Sequence, residues 1–110
     1  MGDICVIGED KDLVYIIRTV LEKNGFNCVE SSWGESNGRI VVVELVNEEN
    51  LVNVLNLAKN KKVILIASIS RWKKRELLEN GLIVLEKPFS LKELVKVVKE
   101  IKEKKRWVRI

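Results

Sequence analysis

The sequence predicts an α/β domain in which a parallel sheet is covered by helices on both faces. Three observations carry that prediction. Apolar runs of strand length alternate with helical stripes along the whole chain. The runs are rich in branched aliphatics, as strands buried on both faces must be, with Val, Ile and Leu numbering 16, 11 and 13 against six aromatics. The length of 110 residues suits one domain with one core, spanning residues 1–110.

Each element follows in order. Residues 3–7 form a short apolar run, and Leu13, Ile16, Ile17, Val20 and Leu21 form a helical stripe that Asn24-Gly25 closes. Residues 27–31 read as the second strand. Ser32-Trp33-Gly34 leads into a polar turn running through Gly38, with Trp33 as a lid over the edge of the core. A parallel crossover usually needs about a dozen residues or more, so the stretch from Ser31 to Arg39 leaves the second helix shortened or missing. Residues 40–45 read as a buried central strand, and Leu51, Val54, Leu55 and Ala58 as the next stripe. Residues 63–67 make a fourth strand, and Ser70 caps a helix that ends at Asn80-Gly81. Residues 82–85 make the fifth. Ser90-Leu91-Lys92-Glu93 is a capping box opening the stripe Leu91, Leu94, Val95, Val98 and Ile101.

Composition removes whole classes of chemistry. There is no His, and Asp occurs only at Asp3, Asp10 and Asp12. A His-based triad, a His-ligated metal and an imidazole proton shuttle are therefore excluded. The apolar runs at 40–46 and 63–67 fall far short of the roughly 20 residues a membrane span needs. The first residues lack the basic and apolar segments of a signal peptide, so the expected location is the cytoplasm. Cys5 and Cys28 lie in strand-like runs and read as buried free thiols, because neighbouring parallel strands rarely offer disulfide geometry. The lack of Gln and the abundance of Lys and Glu resemble a thermophile's composition.

Functional groups of an open parallel sheet gather at the carboxyl ends of its strands. Those ends carry Gly8-Glu9-Asp10, Glu44, Ala67-Ser68 and Glu86-Lys87-Pro88-Phe89. With Gly25-Phe26-Asn27 after the first helix, this set resembles the receiver domain of two-component response regulators over nearly the whole chain. The resemblance implies a flavodoxin-like, doubly wound, five-stranded sheet in the order 2-1-3-4-5, and a cis Lys87-Pro88 bond. It also implies an acidic pair that binds Mg²⁺, a phosphoacceptor Asp, a hydroxyl residue and a Lys, a set in which a hard cation neutralises phosphate during transfer.

This sequence departs from that set. The acidic pair falls on Gly8 and Glu9, with Asp10 able to substitute only if the loop shifts. The phosphoacceptor position holds Glu44, the hydroxyl position is Ala67 or Ser68, and the position of the family's switch aromatic is Val84. Lys87 is intact. The expectation is a pseudo-receiver that the usual Asp relay does not phosphorylate. Glu44 either pairs permanently with Lys87, locking one receiver-like conformation, or is a strand-end carboxylate facing water or Lys87 with no signalling role. Neither catalysis nor a cofactor is expected, with Mg²⁺ binding only if the pocket of Glu9 and Asp10 is functional.

Charge is unevenly placed. Residues 1–70 hold 7 basic and 10 acidic side chains, whereas 71–110 hold 13 and 6. The basic part comprises the helices on either side of the fifth strand, marking Trp72, Lys73, Lys74, Val84, Lys92 and Lys96 as a face for a protein partner or a homodimer. Solvated helix faces of mixed Lys and Glu explain the same charge. No motif for nucleic acid accompanies it, so nucleic-acid binding through 71–110 ranks below a protein partner. A phosphorylatable, Mg²⁺-dependent receiver built on Glu9, Asp10 and Glu44 is the other alternative.

Overall fold

The computed structural model describes residues 4–31, 39–46, 48–68 and 71–103. In chain order these form β1 (Ile4–Gly8), α1 (Lys11–Lys23), β2 (Cys28–Glu30), β3 (Ile40–Glu44), α2 (Leu51–Ala58), β4 (Lys62–Ala67), α3 (Arg71–Glu79), β5 (Ile83–Glu86) and α4 (Leu91–Lys102). A 3-10 turn at Glu48–Asn50, which sequence periodicity does not mark, runs into α2. The five strands are parallel and ordered β2-β1-β3-β4-β5, the flavodoxin-like order that was expected. Between β2 and β3 no helix occurs among the described residues. The polar turn with Trp33 lies outside them, as do Ser70 and the side chains of Trp72 and Lys73.

Strand alternation sorts the core into two layers. Ile4, Val6, Cys28, Ile40, Val42, Ile64, Ile66 and Leu85 face α1 and α4. Cys5, Ile7, Val41, Val43, Val63, Leu65, Ala67 and Val84 face α2 and α3. The helices follow suit with apolar stripes at spacings of three and four: Val14, Ile17 and Leu21 in α1, and Leu94, Val97, Val98 and Ile101 in α4. The α1 stripe is turned slightly from the one expected. Val14 is buried, and Ile16, counted as core from the sequence, is exposed. Val84 also differs from expectation. It sits 9% exposed beside Leu77 and Leu82 under α3, so it cannot contribute to a partner face.

Side chains cap the N-termini of α1 and α4, the first at a residue the sequence marks only for the acidic pocket and the second at the Ser90 the sequence marks. Asp10 accepts from the N–H groups of Asp12 and Leu13 to cap α1, and Ser90 accepts from the Glu93 N–H to cap α4. Gly25 and Gly81 take positive φ values of 89° and 85° directly after α1 and α3, which L side chains rarely adopt. The Lys87-Pro88 bond is cis, as expected.

Neither cysteine is in a disulfide, and both are buried. Cys28 pairs in register with Ile4 and faces α1 and α4, while Cys5 faces the opposite layer, so their sulfurs lie on different sides of the sheet. Burial first, and then the negative charge of Glu22, push the Cys28 thiol up from 9.0 to about 11. Between those pH values the unfolded chain releases this proton and the native chain keeps it. Stability therefore falls as pH rises from about 9 to 11, by up to about 2–3 kcal/mol. Urea midpoints at pH 9, 10 and 11 should show a steeper loss for the native sequence than for Cys28→Ala. Equal slopes would disprove this origin.

Candidate functional site

Alternation also builds the site. Gly8 and Glu44 are register partners at the ends of β1 and β3, and both fall on the side facing α1 and α4. Lys87 follows β5 with the parity of Ile83 and Leu85, so its side chain starts on that same face. Two strand spacings, about 9.5 Å, separate β3 from β5. The long arms of Glu44 and Lys87 close that gap across the end of β4.

Glu44 is the one buried charged residue among those described, at 0% exposure. Its Oε1 accepts hydrogen bonds from the backbone N–H groups of Glu9 at 3.0 Å and Asp10 at 2.9 Å. Its Oε2 accepts from Lys87 Nζ at 2.6 Å, and that ammonium also points at the Leu45 carbonyl at 3.4 Å. Both carboxylate oxygens are thus bound by N–H donors, one of them cationic, in the short range of charge-assisted contacts. The carboxylate also lies by the N-terminal end of α1, where the helix dipole favours negative charge. Glu44 and Lys87 therefore meet, a contact that both readings open from the sequence allow.

Glu9 and Asp10 are also engaged. One oxygen of the Glu9 carboxylate accepts from Asn50 Nδ2 at 2.7 Å and the other from the Val46 N–H at 3.2 Å, tying the β1–α1 turn to the segment after β3. Asp10 spends Oδ1 on the α1 cap. Gly8 has no room for a side chain. A Cβ there would lie 2.4 Å from Val14 Cγ2, 3.0 Å from Glu44 Oε1 and 3.1 Å from Glu44 Cβ. Among the described residues, no group of three or more His, Cys, Asp and Glu side chains could hold a metal ion.

Of the two candidates for the hydroxyl position, Ala67 ends β4 with its side chain buried towards α2 and α3, and Ser68 is the exposed residue that follows. On the charged face, Lys74 of α3 pairs with Glu86 of β5 at 2.7 Å, while Lys92 and Lys96 are exposed on α4. Sequence reasoning missed Asn50 and the steric role of Gly8. Asn50 carries no periodic signal. The Gly8 contact would have needed the β1–β3 register.

No protein-family model matches the sequence, and no curated protein matches it significantly. Solved structures do. The receiver domain of the Francisella response regulator 1452 superposes with a TM-score of 0.80 at 24% identity, covering 94% of this chain and 98% of that one. A response regulator receiver protein from Pseudomonas putida gives a TM-score of 0.75 at 13% identity, covering 88% and 94%. The chemotaxis protein CheY4 of Vibrio cholerae gives 0.67 at 16% identity, covering 91% and 98%. The chain has the fold of these domains.

Proposed function

We propose that this chain is a receiver-like signalling module of the cytoplasm that works without the aspartyl-phosphate relay and acts by binding a protein partner. The observation that carries the proposal is the Glu44 carboxylate, fully buried and bound at both oxygens by Glu9 N–H, Asp10 N–H and Lys87. At 0% exposure, neither oxygen is open to the approach of a phosphoryl donor. The carboxylates around it do not fit a divalent cation either. Such an ion needs several unengaged oxygens at close range, but Glu9 is tied to Asn50 and Val46, Asp10 caps α1, and Gly8 has no carboxylate. The amides and the Lys87 ammonium supply the positive potential that a metal would otherwise bring.

The surface for the partner is the side formed by α3, β5 and α4, where the chain carries its excess positive charge. Exposed Lys92 and Lys96 suit an acidic protein surface or a second copy of this chain. Incubation with acetyl phosphate and Mg²⁺ followed by intact-mass spectrometry is expected to show unmodified protein. A stable phosphoadduct on Glu44 would overturn the reading in favour of an orthodox receiver.

A further inference from the structure

We infer that the Glu9 N–H, the Asp10 N–H and the Lys87 ammonium form a carboxylate-binding cradle whose resident ligand is the chain's own Glu44. The donors bind the two oxygens as they would bind a free carboxylate, two N–H groups on Oε1 at 3.0 and 2.9 Å and an ammonium on Oε2 at 2.6 Å. They come from the β1–α1 turn and from the residue after β5, neither of which Glu44 itself belongs to. The turn is fixed independently of Glu44 by the Asp10 cap and by the Glu9 bonds to Asn50 and Val46. Gly8 supplies the floor, since a Cβ there would lie only 3.0 Å from the bound oxygen.

The tether explains why the site is closed to other anions. A carboxylate delivered by β3 competes at the high effective concentration of an intramolecular ligand, which free anions at ordinary concentrations do not match. Cutting the tether should reopen the cradle. Glu44→Ala removes one methylene carbon and the carboxyl group, the same heavy atoms that acetate contains. The vacated space and its three donors therefore fit acetate. Phosphate, with four tetrahedral oxygens, is too large for a space shaped by a planar group. The inference rests on Glu44 being the site's permanent occupant, and its test reads anion binding rather than phosphorylation, so the two failures can be told apart.

The experiment is thermal unfolding of Glu44→Ala in sodium acetate and in sodium chloride at equal ionic strength. Acetate at about ten times its dissociation constant is expected to raise the midpoint by roughly 5 °C. The native sequence should show no difference between the salts, and Lys87→Met added to Glu44→Ala should abolish the acetate effect. If Glu44→Ala is unfolded in chloride, folding that depends on acetate supports the same conclusion. Equal midpoints in the two salts overturn the inference, as does a variant that folds in neither. A larger rise with phosphate than with acetate overturns the assignment to carboxylates. In the native sequence, the Glu9 and Asp10 amides should resist hydrogen exchange, and free exchange at both would also overturn it.

Discussion

Lys87→Met is expected to destabilise the domain by about 3–5 kcal/mol, read from urea unfolding at neutral pH. The size follows from what is left behind rather than from what the ion pair contributes. Taking Glu44 and Lys87 from water is costly, and their attraction does little more than repay it. Once Lys87 is gone, the carboxylate keeps two amide donors on Oε1 but nothing on Oε2, at a position with 0% exposure. An uncompensated buried charge is among the costliest defects a core can hold. Adding Glu44→Gln to Lys87→Met should recover part of the loss, because the neutral amide can still accept from Glu9 and Asp10. A loss below about 1 kcal/mol for Lys87→Met would mean that the pair behaves like a solvated surface contact.

The fold was legible because strand and helix periods differ and because this chain keeps them separate. The two-layer sorting of β1, β3 and β4 follows directly from alternation, and the order of elements from the switches between periods. The failures have physical causes too. Ile16 and Val14 exchange burial because a small rotation of α1 about its axis moves either residue to the rim. Val84 reads as part of the partner face because its strand lies between the two basic helices, but α3 covers that side of β5. At the site, the sequence places Glu44 and Lys87 at strand ends without fixing whether they meet. That depends on the relative stagger of β3 and β5, set by backbone pairing through β4. The bond from Asn50 to Glu9 joins two loops brought together only by the finished sheet, so no local pattern announces it.

Gly8→Ala is expected to cost about 2–3 kcal/mol, through overpacking rather than through backbone strain. The added methyl would enter the space of Val14 Cγ2 at 2.4 Å and press on Glu44 at 3.0 and 3.1 Å. Val14 is 1% exposed and packed in the layer under α1, so it cannot swing into solvent to make room. The double variant Gly8→Ala/Val14→Ala separates the two causes. If crowding is the origin, the second substitution removes the worst contact, and the pair should be less damaging than the sum of the singles by about 1–2 kcal/mol. Recovery stays partial because the contacts with Glu44 remain. Strictly additive losses would refute the steric account, since a backbone cause gains nothing from trimming Val14. The geometry also joins two oddities of the sequence into one. With Val14 and Glu44 against it, position 8 has no room for any side chain, so the glycine that ends β1 and the glutamate that ends β3 are complementary parts of a single packing arrangement.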